Sequence, residues 1–584
     1  MALRNRRPQL YNTRKRPQEY EMDHLTEGFL IQTTTGKLQG VLEEDTIAFH
    51  KVPYAQPPVG PLRFRAPRPT TWTNIRYAAK AGPGSYQLSS SNKEALQELV
   101  QQLGPRVPGE YPLPPGFAQS YDHPESSEDC LYLEIWLPKG KRENLSTFVY
   151  YHGGANMISS GGMHLERPTK LCAQHNIIVV RPSYRLGALG WVHFGLFSDE
   201  FPEAVNLGVQ DQIAALRWIH DNIRCFGGDP GHITVGGESC GATAVSHLLT
   251  YPPTQPIIRR AIMQSLSPYN NWCTQDKPEA TTVAKMYMDL LKIDDPAALH
   301  AIHPLKLIAA HQVLVRLFPP DHAMAWRPLG AVVDGNFVPE HPSHYLSTKP
   351  YPRPDFELML GTAKDEWTLY RGQTKTARRG TEADVITAIS RVFGHDSKYV
   401  FERFQKLYPG RSPGHLYCDI MGTVMFQFPT IAVARNMAET GTPVYFFQFS
   451  YDSPGLDGTL RALHTGDMLF QWGNCSQAGI NSWVAWRGLK PGDVEPTAKV
   501  IGELYAKFIR FGDPGRPWTS FDGENNAVLW FGKEVETRQD IFTGKWEIFN
   551  DVGIYDVQGL GERLTRSLFD ALSKINIADV RPES

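Results

Sequence analysis

Ile233-Thr234-Val235-Gly236-Gly237-Glu238-Ser239-Cys240-Gly241-Ala242-Thr243-Ala244-Val245 is the stretch on which the fold turns. Ile233, Thr234 and Val235 suit a strand, and Ala242, Val245 and Leu248 recur at helical spacing after it. Between them, Gly237-Glu238-Ser239-Cys240-Gly241 sets a serine in a G-x-S-x-G turn, whose glycines permit a cramped backbone that lifts the hydroxyl clear of the main chain. The pattern alone is weak, because at ordinary Gly and Ser usage about 0.2 matches arise by chance in a chain this long. Without other signals an ordinary glycine-rich turn explains it equally well, so the flanking elements carry the weight.

Upstream, the β-branched and aromatic run Thr147-Phe148-Val149-Tyr150-Tyr151 ends in His152-Gly153-Gly154-Ala155. A glycine-rich loop at a strand end can aim backbone N–H groups at a carbonyl oxygen becoming negative, although it can also be a plain turn. Ile177–Val180, Glu357–Leu360 and Val444–Phe449 read as further strands. Ile213, Leu216, Ile219 and Ile223 recur helically behind an Asn206 cap, and Gly227-Gly228-Asp229-Pro230 stops that helix. Phe29–Thr33 and Gly40–Leu42, joined by the turn Thr35-Gly36-Lys37, open the chain as a small meander. This alternation predicts an α/β fold, a largely parallel sheet covered by helices on both faces.

Composition narrows the function. The 584 residues are 41% hydrophobic and 21% charged, which excludes collagen-like, disulfide-framework and wholly disordered chains. At about 150 residues per domain the length suggests roughly four domains, a prior that the motifs must overrule. Lys plus Arg number 59 against 61 Asp plus Glu, a net −2 that gives no sequence-wide attraction to nucleic acid or anionic lipid. The seven cysteines, at positions 130, 172, 225, 240, 273, 418 and 475, form no zinc-like spacing, and neither metal nor cofactor is expected. Residues 1–24 read as a basic disordered tail with no signal-peptide core, and no run of 18 apolar residues predicts a membrane span. A cytoplasmic location is therefore expected over a secreted one, although the sequons at Asn144 and Asn474 would permit glycosylation. Residues 92–125, rich in Gln, Pro, Gly and Ser, read as an inserted surface loop that could overhang a site.

Other strings stand in a fixed order. They are Phe49-His50-Lys51-Val52-Pro53-Tyr54 with Pro57-Pro58-Val59-Gly60, Ser127-Glu128-Asp129-Cys130-Leu131-Tyr132-Leu133, Tyr184-Arg185-Leu186-Gly187, Asp211-Gln212, Phe226-Gly227-Gly228-Asp229-Pro230 and Phe511-Gly512-Asp513-Pro514. In that order, from about residue 29 to about 545, the chain resembles the type-B carboxylesterase and cholinesterase family of α/β-hydrolases. The resemblance implies one α/β-hydrolase body over residues 25–584. It also implies that Ser239 is the nucleophile, that Glu366 in Gly361-Thr362-Ala363-Lys364-Asp365-Glu366 is the acid, and that His464 in His464-Thr465-Gly466-Asp467 is the base. From the residues alone, 19 histidines and 61 acids give little reason to choose these two, and Asp365 competes for the acid role. Whichever acid goes unused is expected to be a surface charge.

The implied activity is hydrolysis of small-molecule carboxylic esters through an acyl-enzyme, with the backbone N–H groups of Gly154, Ala155 and Cys240 as oxyanion hole. Arg185 and Asp211 resemble a structural ion pair of the family, while Glu238 reads either as a side support for the charged histidine or as a hydrogen-bonded prop for the turn. Departures bear on substrate. Ala155 and Asn156 replace a glycine and an aromatic, so a narrower, more polar mouth is expected, and Trp367 follows the acid where the family has a small residue. Ser120 stands where cholinesterases place the aromatic that binds a quaternary ammonium, with Tyr121 as a substitute, which weakens a choline-ester reading. Trp326, Phe426 and Trp472 are candidates for pocket lining or for core. Cys240 is read as a small buried residue or as a thiol whose modification would block the site. Ser85 occupies the place of the disulfide partner that secreted relatives give Cys130. Rival readings are a non-catalytic adhesion module of the same family and a hydrolase of amides, thioesters or lactones, which the same triad would open.

Overall fold

The computed structural model describes residues 29–572 and 577, apart from 90–91, 105–125, 161–165, 268–273, 318–328 and 523–525. The basic tail, Ser120, Tyr121, Trp326 and Cys273 lie outside the described residues.

Eleven strands build the central sheet: β1 (Val41–Glu43), β2 (Thr46–Pro53), β3 (Tyr132–Pro138), β4 (Leu145–Tyr151), β5 (Ile178–Pro182), β6 (Gly228–Glu238), β7 (Ile258–Gln264), β8 (Glu357–Ala363), β9 (Val444–Phe449), β10 (Val528–Phe531) and β11 (Val535–Arg538). Their spatial order is β11-β10-β9-β8-β7-β6-β4-β5-β3-β2-β1. From β10 across to β5 every pairing is parallel, and only the two flanks are antiparallel. The central strands are apolar on both faces, as a parallel sheet covered on both sides requires: Val149 pairs with both Val180 and Val235, and all three are fully buried. The opening meander differs from expectation: Leu30–Gln32 pairs antiparallel with Lys37–Gln39, which begins inside the expected turn, in a small separate sheet, while the expected second strand at Gly40–Leu42 falls at β1 on the edge of the central sheet.

Three local expectations are corrected. Lys93–Leu103 (α1), within the stretch expected to be loop, is a helix that buries Leu96 and Val100 one turn apart against the helix Pro304–Leu317, because Pro105, Pro108 and the other breakers all lie beyond its end. Asn206 precedes helix α2 (Leu207–Asn222) but its side chain does not cap it. It adopts the left-handed region at φ 56° and ties the chain to Val332 through both an accepted and a donated bond, at 2.7 and 2.8 Å. The strand expected at 233–235 runs from Gly228 to Glu238.

Parallel order fixes where a site can form, because loops gather at the carboxyl ends of the strands. The segments after β4, β6, β8 and β9 carry Gly154, Ser239, Glu366 and His464 respectively. Among the described helices, the continuous stretch Pro413–Glu439 is long and apolar enough to cross a membrane, but nearly all of it is buried inside the protein. Its middle, the π-helical turn Thr423–Gln427, packs under the loop after β8, where Gln427 Nε2 donates to the carbonyls of Ala363 and Lys364.

Candidate active site

At the end of β6 the chain reverses into helix α3 (Cys240–Thr250) through Ser239, which adopts φ 57° and ψ −123°. A non-glycine residue held there is strained, and such strain persists only where the surroundings over-determine it. They do: Ser239 N–H donates to the Gln264 carbonyl at 2.9 Å, and the backbones close in on both flanking glycines. A Cβ at Gly237 would lie 2.3 Å from the Gly241 carbonyl carbon, and one at Gly241 would lie 2.0 Å from the Tyr151 oxygen. The G-x-S-x-G pattern is thus a steric necessity of this turn.

Glu366 is fully buried and both its oxygens are engaged. Oε1 accepts from Ser265 Oγ at 2.8 Å and from the Ala363 N–H at 2.6 Å, while Oε2 lies 2.6 Å from His464 Nδ1. Phe426 lies 4.6 Å and Tyr370 5.8 Å, ring to ring, from the imidazole, so Phe426 lines the site. Trp472 instead packs on Phe148 and Tyr150 and belongs to the core. Asp365 faces away from the histidine. Its side chain is also buried, 3.3 Å from Arg411 and about 4.0 Å from Lys364 and Arg461, so the unused acid is an internal ion-pair partner and not a surface charge. Trp367 is buried against Tyr370 and Phe426, one layer behind the histidine.

His464 Nε2 makes no hydrogen bond among the described residues and lies 3.1 Å from Glu238 Oε1. His464 thus touches the residue that precedes Ser239 without a formed bond, as resting hydrolases often show before substrate tightens the site.

The loop after β4 lies directly on the turn: a Cβ at Gly153 would fall 2.8 Å from the Glu238 carbonyl and 3.3 Å from Ser239 Cβ. Gly154 at φ 104° and Ala155 at φ 57° turn the loop, and their N–H groups donate no backbone hydrogen bond among the described residues. Asn156 does not make the mouth polar as expected. It is buried, and its Nδ2 donates to the Leu329 carbonyl at 3.0 Å. Cys240 is buried beneath the turn.

Electrostatically the site is rich in buried acids. Burial, reinforced by Asp467, Glu366 and Glu166, pushes the Glu238 carboxyl well above the usual carboxylate range. Burial also lifts Asp467 to about 6, against the Gln264 hydrogen bond, and Glu166 to about 7, against Arg181. Sequence reading missed Ser265, Gln264 and Glu166; the first two end β7, next to β6 and β8, and only strand order reveals that. Arg185 and Asp211 form a buried bidentate pair at 2.8 and 2.7 Å beneath the site, as expected. Among the described residues no group of three or more His, Cys, Asp or Glu could hold a metal ion.

Comparison with known proteins gives this geometry a context. The sequence model described as the Carboxylesterase family matches residues 27–549. A phenmedipham hydrolase of Pseudarthrobacter oxydans is 30% identical over 88% of this chain and 97% of its own, and a cholinesterase of Mus musculus is 31% identical over 87% and 82%. Para-nitrobenzyl esterase of Bacillus subtilis is 27% identical over 89% of this chain and 99% of its own. Among solved structures, a carboxylesterase of Geobacillus stearothermophilus superposes with a TM-score of 0.74 at 27% identity, covering 89% of this chain and 99% of that one.

Proposed function

Because this chain belongs to the carboxylesterase family and is a carboxylic ester hydrolase, we propose that it cleaves its esters in two acyl transfers through Ser239. His464 Nε2 takes the Ser239 proton as Oγ attacks the ester carbonyl. Glu366, 2.6 Å from Nδ1, keeps the proton on that nitrogen and stabilises the imidazolium that forms. The N–H groups of Gly154, Ala155 and Cys240 hold the oxyanion, and because they belong to the main chain, a cysteine at 240 serves as well as a smaller residue. His464 then returns the proton to the departing alcohol, leaving an acyl-serine. Water, deprotonated by His464, attacks the acyl carbon, and the acid departs as Ser239 regains its proton.

The observation that carries this reading is the doubly anchored Glu366 against His464 Nδ1, with the other face of that imidazole 3.1 Å from Glu238, the residue before the strained turn of Ser239. Ser239→Ala should lower kcat/KM on a p-nitrophenyl ester by about 10⁴-fold or more with unfolding unchanged. Retention of a tenth of wild-type activity would overturn it. The same variant is the control for a panel of esters, amides, thioesters and lactones, beginning with para-nitrobenzyl esters and phenmedipham, the compounds in two relatives' names.

A further inference from the structure

The mechanism above leaves Glu238, Asp467 and Glu166 without a role, although all three are buried beside the reacting groups. Glu238 Oε1 lies 3.1 Å from His464 Nε2, the nitrogen that must receive the serine proton, and neither atom has a hydrogen-bond partner among the described residues. With Glu366 Oε2 at 2.6 Å from Nδ1, an ionised Glu238 would clasp the imidazole between two carboxylates. Two opposite charges at such distances in a low-dielectric interior hold an imidazolium firmly, and an imidazolium cannot act as a base. We infer that Glu238 stands protonated and neutral in the resting enzyme, and that the buried acids Asp467 and Glu166 keep it so, leaving His464 Nε2 free for Ser239.

Among the described residues, the only basic side chain within 4 Å of Glu238 is His464 itself. Its titratable neighbours are Asp467 and His464 from the loop after β9, Glu366 from the loop after β8, and Glu166 from the segment after β4. His152, at the end of β4, is kept neutral by burial, which lowers it to about 4. Arg181 is committed elsewhere: Nη1 donates to the Glu166 carbonyl at 2.8 Å and Nη2 pairs with Glu134 at 2.8 Å. The two helper acids are fixed in place. Asp467 Oδ2 accepts from Gln264 Nε2 at 2.6 Å, and Glu166 Oε1 accepts from Tyr150 Oη at 3.5 Å. Gln264 and Tyr150 meet at Met468, 4.0 and 3.6 Å from its sulfur, so the groups that hold the two helper acids converge on one buried side chain. Among the described residues, Oε1 of Glu238, Oδ1 of Asp467 and Oε2 of Glu166 all lack hydrogen-bond partners, an arrangement that repels a third negative charge. The 3.1 Å contact has no hydrogen-bond geometry, so a proton carried on Oε2 leaves Nε2 unengaged. Glu238 is on this account a positioning residue, and the inference rests on His464 being the base.

The direct test is the infrared difference spectrum of wild type minus Glu238→Gln at pH 7. A carbonyl band of a protonated carboxylic acid is expected, and carboxylate bands alone would overturn the inference. The kinetic test is the alkaline limb of kcat/KM. As Glu238 ionises, wild-type activity should fall tenfold per pH unit, and Glu238→Gln should lose that limb. Glu166→Gln, which removes a negative neighbour, should move the limb to lower pH, and a limb unchanged in both variants would refute the account. A fluorophosphonate probe labelling Ser239 in wild type and Glu238→Gln alike separates this test from the triad. Labelling at another residue would overturn the Ser239 reading instead, while the infrared band decides Glu238 by itself.

Discussion

Glu366→Gln probes the site with the least change in shape, and the structure dictates how it should fail. Glu366 Oε1 receives the Ala363 main-chain N–H at 2.6 Å and the Ser265 hydroxyl at 2.8 Å. The hydroxyl can rotate, but the main-chain N–H cannot, so the glutamine must keep its oxygen there and turn its NH₂ toward His464 Nδ1 at 2.6 Å. Nδ1 then has to accept, its proton moves to Nε2, and the nitrogen facing Ser239 is no longer a base. An imidazole locked in the wrong tautomer costs about 10⁴ in kcat, or about 5.4 kcal/mol of barrier. Stability should change little, because both donors to Oε1 stay satisfied. Asp365→Asn should do the reverse: the triad stays intact, but Arg411 keeps only Asp419, and about 1–3 kcal/mol of stability is lost. Steady-state kinetics on a p-nitrophenyl ester, with urea unfolding of each variant, separate the two effects. If Glu366→Gln keeps a tenth of wild-type kcat, or if Asp365→Asn loses about 10⁴ in kcat with stability intact, the assignment of the acid is wrong.

The remaining predictions concern stability and the oxyanion hole. Burial opposes charge on His50, but hydrogen bonds and charge from Glu134 and Glu43 outweigh it and raise it from 6.5 to about 9. Stability worth about 3 kcal/mol is therefore fully present below pH 6.5 and lost as pH rises through about 9; urea midpoints in wild type should fall across that window and those of His50→Gln should not. Asp211→Asn should cost about 3–5 kcal/mol in urea unfolding, because it strips the buried Arg185 guanidinium of its charge partner; a loss under 1 kcal/mol would contradict the pair's structural role. Cys240→Ala should keep kcat within a few-fold, since only its main-chain N–H faces the oxyanion; a large loss would assign the thiol a part in the chemistry.

What could be read in the sequence follows from how local each determinant is. The turn at Ser239 was legible because strand, glycines and helix are contiguous, and the structure adds only why Gly237 and Gly241 admit no side chain. Glu366 and Asp365 were not separable, being adjacent acids whose fates diverge with the backbone: one meets a histidine 98 positions on, the other Arg411. Asn206 looked like a cap because asparagine commonly caps helices, and its tie to Val332, 126 positions away, outweighed that local preference. The prolines after Leu103 were real breakers, but their effect does not reach back over the amphipathic turns that precede them. Glu166 is the hardest case. Nothing in Leu165-Glu166-Arg167 sets it apart from the other acids of a nearly neutral chain. Its significance arises because the segments after β4 and β9 deliver it and Asp467 beside Glu238, where burial and their charges make the Glu238 carboxyl hold its proton. A group whose chemistry is created by exclusion of water has no sequence signature, so sites of this kind must be sought among buried acids that no cation compensates.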